Sequence, residues 1–151
     1  MQQTIIQANL GHLDVLVPLF NEYRVFYGRD SDITESSQFL TARLSGGDSV
    51  LFFAVDDETL DGLGFAQLYP SFSSIAMKRI WILNDLYVAE NARRTGIGRQ
   101  LMNKVANFAH SSGAVRVDLA TAKNNIPAKN LYSKVGYDLD GIFDHYKLSI
   151  G

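Results

Sequence analysis

The chain has 151 residues, 46% of them hydrophobic and 20% charged, with a formal net charge of −2; these proportions exclude wholesale disorder and predict a single domain over residues 1–151. It has no cysteine, so disulfides, thiolate metal sites and a cysteine nucleophile are excluded, and His12, His110 and His145 lie too far apart in sequence to predict a metal site. No apolar run reaches membrane-spanning length, and "MQQTIIQANL" lacks the basic start and long apolar core of a signal peptide, so a cytoplasmic protein without membrane contact is expected.

In chain order, residues 3–8 suit a short strand. From Leu13, the positions Leu13, Leu16, Val17, Phe20, Tyr23 and Tyr27 keep helical spacing and predict a helix to about Tyr27. The polar stretch "GRDSDITES" follows, with Thr34 or Ser36 expected to cap a second helix that ends near Gly46-Gly47. "SVLFFAV" and "LGFAQLY" read as strands of an antiparallel hairpin around "DDETLDG". "RIWILNDLYV" is apolar on both faces, as a strand with neighbours on both sides should be. A helix through about Ser112 comes next, with Leu101, Met102, Val105 and Ala109 on one face. "AVRVDLAT" alternates like a strand, "NNIPAKNLYSKVGY" reads as a short helix stopped by Gly136, and "IFDHYKLSI" as a closing strand. Residues 80–121 thus form a βαβ unit. The fold class expected is α/β, a mixed, mainly antiparallel sheet with that βαβ unit at its centre and helices on both faces.

Charge is unevenly spread. Residues 1–62 hold three Lys/Arg against ten Asp/Glu, and residues 63–151 hold eleven against six. Such a split attracts an anion at one place and a cation at another, or reflects no more than a solvated surface. The anion end falls at "RRTGIGR". Arg93, Arg94 and Arg99 flank Gly96 and Gly98 just after a strand and just before a helix. The first amides of a helix lack internal partners and suit a phosphate, and glycine lets a ligand approach them closely. A surface loop with ordinary solvated charges is the competing reading. Other phosphate chemistries are excluded: there is no G-x-x-x-x-G-K-[ST], and the third glycine of a dinucleotide fingerprint is replaced by Leu101. No G-x-S-x-G serine-hydrolase elbow is present, and the overall acidic balance argues against nucleic acid. Asn84 and Asp85 stand inside an apolar strand, which predicts that one of them faces a cavity.

The ordered set "NDLYV", "RRTGIG", Asn125-x-x-Ala128, Leu131-Tyr132 and Gly136-Tyr137 resembles the GNAT superfamily of acetyl-CoA-dependent N-acetyltransferases over essentially the whole chain. The wording is most similar to the diamine acetyltransferases and to the fungal branch that acetylates histones, polyamines and D-amino acids. The resemblance implies a coenzyme A pyrophosphate over the loop of Arg93, Arg94, Thr95, Gly96, Ile97, Gly98 and Arg99. It places the pantetheine arm along the backbone of Leu86, Tyr87 and Val88, one of whose N–H groups would stabilise the thioester oxygen. Asn125 and Ala128 would lie along the cofactor. Tyr132 would protonate the departing thiolate, a task suited to a phenol with an ordinary pKa of about 10; the residues alone also allow Tyr132 to be core.

Diamine acetyltransferases tend to carry a glutamate where this chain has Asn84. An amide cannot accept the amine's proton, so Asp85, Glu22 or a water chain is left as the base, unless the amine arrives neutral. The resemblance also sets the acceptor beside the connection between the first two helices. There Glu22, Tyr23, Tyr27, Asp30, Asp32 and Glu35 would make an anionic, aromatic entrance that favours a cation. The expected function is acetyl transfer from acetyl-CoA directly to a small cationic amine, polyamine-like or an amino acid, or to an amine of a basic peptide. A non-catalytic acyl-CoA-binding module is the alternative. A homodimer is implied by the resemblance alone.

Overall fold

The computed structural model describes residues 2–151. The hairpin around "DDETLDG" lies inside a five-stranded sheet. Its strands are β1 (Gln3–Gln7), β2 (Val50–Asp56), β3 (Gly62–Ser73), β4 (Lys78–Val88) and β5 (Val117–Leu119), in that spatial order. Neighbours are antiparallel from β1 to β4, and β4 runs parallel to β5. The helices are α1 (Leu13–Phe26), α2 (Ile33–Gly46), α3 (Ile97–Ser111) and α4 (Ile126–Lys134). The α/β class and the β4–α3–β5 unit are as expected, but that unit lies at one end of the strand order and not at its centre. Residues 1–120 and 121–151 form two compact units. The sheet and α1 to α3 belong to the first, and α4 to the second.

Period-two alternation sorts the sheet's side chains onto two faces. Leu51, Phe53 and Val55 of β2 and Phe65 of β3 pack with Leu16, Val17, Leu19 and Phe20 of α1 and with Leu40 of α2. On the other face Phe52 and Trp81 meet Phe108 of α3, with ring centroids 5.5 and 5.2 Å apart. Each such buried side chain stabilises the fold by about 1.5–3 kcal/mol before entropy is counted. Gly62 sets the closeness of α1 to the sheet: a Cβ there would lie 2.7 Å from Leu19 Cδ1 and 2.8 Å from Val15 Cγ1.

Two expectations are corrected. Neither Thr34 nor Ser36 caps α2. Asp32 Oδ1 accepts the Glu35 N–H at 2.9 Å, and the Asp32 N–H donates to Asn21 Oδ1 at 2.8 Å. A carboxylate at the helix N-terminus adds its charge to the cap, which a hydroxyl does not. The closing strand at "IFDHYKLSI" does not form: residues 137–151 have neither helix nor strand, and Ile142, Phe143, Tyr146, Leu148 and Ile150 are exposed. Alternation is a local property, whereas a strand exists only where a neighbour completes its ladder. For the same reason β5 keeps only three residues of the longer alternating run.

Candidate active site

The site begins with a break in register. Gln67 pairs with Asp85 but Leu68 pairs with Leu83, so Asn84 is an extra residue on β4. A bulge of this kind sends the side chains on its two sides to opposite faces relative to strict alternation. Trp81, before the bulge, lies under α3. Asp85 and Tyr87, after it, meet Tyr23 of α1. Were Asn84 a regular strand residue instead of a bulge, Asp85 would share the face of Trp81 and point into the apolar layer beneath α3.

Asp85 is 5% exposed. Its Oδ1 accepts from the Tyr23 hydroxyl at 2.7 Å and from Asn84 Nδ2 at 3.0 Å, and its Oδ2 accepts from Gln67 Nε2 at 2.8 Å. Three donors offset part of the cost of burying a carboxylate. Burial, and then the charge and hydrogen bond of Asp85, push the Tyr23 phenol far above its ordinary range, so Tyr23 stays a donor. Burial and then Asp85 also push Tyr69 up to about 12. A pocket of about 260 Å³ opens onto this centre. Asn84 and Asp85 both line it, so the polar pair does face a cavity. Its walls are Phe20, Phe39 and Tyr69, with Arg24, Glu35 and Ser36 beside them.

Of the residues expected at an acidic entrance, Glu35 lines this pocket, Tyr23 is hydrogen-bonded to Asp85, and the others are spread. Asp32 is taken up in capping α2. Asp30 is exposed, and its carbonyl accepts from Arg24 Nη1 at 3.4 Å. Glu22 is exposed beside Tyr87, whose phenol is pushed up by burial first and then by the Glu22 charge, against the opposing effect of Arg93. Tyr27 is 57% exposed and packs its ring edge-on to Tyr23 at 5.1 Å.

The second part of the site is the start of α3. Arg94 and Gly96 both have positive φ, 65° and 86°. Gly96 is the N-cap, no side chain caps the helix, and a Cβ added at Gly96 would meet nothing within 4 Å. Thr95 Oγ1 donates to the Ala92 carbonyl and holds the turn. Arg93 folds back: its Nε donates to the Val88 carbonyl at 3.0 Å, and its guanidinium lies 5.0 Å from the Phe26 ring centroid. Arg94 and Arg99 are exposed, Ile97 is buried beneath them, and Gly98 is in the first turn. Among the described residues β4 pairs with β5 only over Trp81–Leu83. Leu86, Tyr87 and Val88 therefore have strand partners on the β3 side alone. An uncapped helix start, a glycine beside open space, two exposed arginines and a strand edge fit a pyrophosphate with a polar arm.

In the second unit, Asn125 is the N-cap of α4, and its Oδ1 accepts the Ala128 N–H at 3.3 Å. The Asn125-x-x-Ala128 spacing thus has a local cause. Tyr132 lies on α4, a helix with no buried residue, and its ring centroid is 6.1 Å from that of Tyr137. Tyr132 is half-buried.

The sequence alone does not single out Gln67, Arg24 or Ser36 as residues of this pocket. Gln67 had a signal, a long polar residue inside the apolar run "LGFAQLY"; it is fully buried, and its Oε1 lacks a hydrogen-bond partner among the described residues. Arg24 and Ser36 had none, since one polar residue on a helix looks like any other until α1 and α2 are packed together. Among the described residues no group of His, Asp and Glu could hold a metal, and no helix is long and apolar enough to cross a membrane.

A profile of the Acetyltransferase (GNAT) family matches residues 16–137. The chain is 42% identical over 146 residues to the uncharacterized N-acetyltransferase YhfO of Bacillus subtilis, covering 97% of each chain. It is 35% identical over 120 residues to a probable acetyltransferase of Haemophilus influenzae, covering 80% of this chain and 82% of that one. The crystal structure of a probable acetyltransferase superposes with a TM-score of 0.94 at 45% identity, covering 98% of each chain. Enzymes of this family use acetyl-CoA as co-substrate, which the α3 start and β4 edge fit. A match through the sheet, the α3 turn and α4 leaves one assignment: the chain belongs to the GNAT family and is an N-acetyltransferase.

Proposed function

We propose that the acceptor is a small primary amine, polyamine-like or an amino acid, or the amine of a basic peptide, and that it binds in the pocket at Asp85. The observation that carries this reading is a buried carboxylate, fixed by three donors, on the floor of a small aromatic pocket. An ammonium ion has no lone pair to attack with. Asp85 attracts it, takes its proton and leaves a neutral nitrogen in place. Tyr23, Gln67 and Asn84 hold the carboxylate still, so that the nitrogen is presented in one orientation.

Acetyl-CoA supplies the acetyl group as a thioester. The residues that would hold it are the backbone of Leu86, Tyr87 and Val88, the amides from Arg94 to Arg99, and the Arg94 and Arg99 side chains, with Arg93 fixing the end of β4. Asn125 and Ala128 join this set by their match to the family's motif, and Tyr132 by the same match is the proton donor to the thiolate. Transfer is direct, since the chain has no cysteine to carry an acetyl group.

Asp85→Asn tests the reading. The amide keeps the size of the side chain and loses the ability to take a proton. Turnover of amines should fall on the order of 10²-fold while acetyl-CoA affinity, measured by calorimetry, holds. Wild-type turnover in the mutant would move the base elsewhere, and acetyl-CoA binding with no turnover of any amine by the native protein would point to a binding module.

A further inference from the structure

The pocket at Asp85 holds more than a place for an amine. Arg24 of α1 is half-buried and lines its wall, as Phe20 and Phe39 do. Among the described residues Arg24 makes no ion pair, and its one side-chain hydrogen bond is to the Asp30 carbonyl at 3.4 Å. That is longer than a well-formed N–H···O bond, and a guanidinium carries five N–H donors. Most of its donor capacity is therefore without a partner among the described residues, on a side chain that lines the pocket. Glu35 also lines the pocket but is exposed at its rim, where water screens its charge.

A second, independent observation comes from the same pocket. Ser36 is 2% exposed, lines the same pocket, and its hydroxyl has no hydrogen-bond partner among the described residues. A buried hydroxyl without a partner costs stability unless a ligand completes it. One pocket thus offers a carboxylate on its floor, and on its wall a cation with an unsatisfied hydroxyl. A plain polyamine would meet Arg24 as a like charge.

We infer that the acceptor carries a carboxylate as well as its amine: Asp85 receives the amine, and Arg24 with Ser36 receives the carboxylate, so that the enzyme selects an amino acid over a simple amine. Arginine suits this task because its planar fork matches a carboxylate with two parallel hydrogen bonds. A volume of about 260 Å³ accommodates a free amino acid and leaves little room for more of a chain inside the pocket. The inference rests on the reading that amines are acetylated at Asp85.

The test uses matched pairs that differ only in the carboxylate: lysine against cadaverine, and phenylalanine against phenethylamine, each amino acid in both hands. Thiol release from acetyl-CoA is followed. The wild-type protein should favour at least one amino acid over its decarboxylated partner by about tenfold or more in kcat/KM, the scale of a charge-assisted hydrogen bond. The methyl ester of that amino acid should behave like the decarboxylated amine. Arg24→Gln should bring the ratio towards one, and Arg24→Lys, which keeps the charge without the fork, should restore part of it. Ser36→Ala should lower it by less than Arg24→Gln does. If the decarboxylated amines are turned over as well as the amino acids, or if a folded Arg24→Gln keeps the wild-type ratio, the inference is overturned and acetylation of amines stands. If no amine of either kind stimulates thiol release, the reading of the pocket as an acceptor site falls, and this inference with it.

Discussion

At the scale of single residues, chemistry is set by environment more than by residue type. Tyr23 and Tyr132 are both phenols, yet they suit different tasks. Tyr23 is held beside a buried carboxylate, and burial followed by that charge drives its pKa up, so it serves as a fixed donor to Asp85 and is a poor source of protons. Tyr132 sits on a helix without a buried residue, and its phenol is the one we propose as proton donor to the leaving thiolate. Tyr132→Phe removes the hydroxyl and leaves the ring to pack against Tyr137. Turnover should drop on the order of 10²-fold or more with acetyl-CoA affinity nearly intact, because the missing proton matters only in the transition state. Steady-state kinetics and calorimetry on one preparation decide it; full turnover with a lowered melting temperature would make Tyr132 a packing residue instead.

At the scale of elements, two local irregularities build the site. One is the bulge at Asn84, and the other is the turn before α3, where Arg94 and Gly96 take up positive φ. Gly96→Glu strains that turn and puts a negative side chain beside the uncapped amides, so acetyl-CoA affinity should be lost while far-UV circular dichroism stays native. Unchanged affinity in a folded mutant would make "RRTGIGR" a surface loop. The turn was legible in the sequence because its residue types are unusual: glycines and arginines at a strand-to-helix junction have few uses. The bulge was not, because periodicity assumes that alternation never skips, and only the polar pair Asn84-Asp85 hinted at a cavity. The cap of α2 could have been read from Asp32 and Glu35, three residues apart, which resemble a capping box. The strands β2 to β4 and the buried face of α3 were legible because burial imposes a period on them. Residues 142–150 have a strand's alternation too, but a ladder partner is not written in a segment's own residues.

At the scale of the whole molecule, the charge split acquires a local meaning. Arg93, Arg94 and Arg99 concentrate positive charge at the start of α3, and ten acidic residues fall within the first 62. Of the acidic residues near α1 and α2, Asp32 is committed to a cap, Glu22 faces Tyr87, and Glu35 alone joins Asp85 at the pocket. The acidic half is therefore a diffuse field around a pocket that contains its own cation, Arg24. Diffuse fields and contacts respond differently to salt. Exposed charges are screened beyond about 8 Å at physiological ionic strength, whereas desolvated pairs inside a pocket are screened far less. Raising sodium chloride from low to high concentration should therefore raise KM for acetyl-CoA, a polyanion drawn to the α3 arginines, and raise KM for any polyamine drawn by the acidic field. KM for a zwitterionic amino acid should change least, since its net charge is near zero and its partners are within the pocket. Neutralising Asp30 and Glu35 together, with Asp32 left to cap α2, should flatten the polyamine's salt dependence and spare that of acetyl-CoA. Initial rates across a salt series, with each substrate varied in turn, give all three slopes. Equal slopes for the polyamine and the zwitterion would mean that the acidic residues of the first 62 exert no steering field at this site.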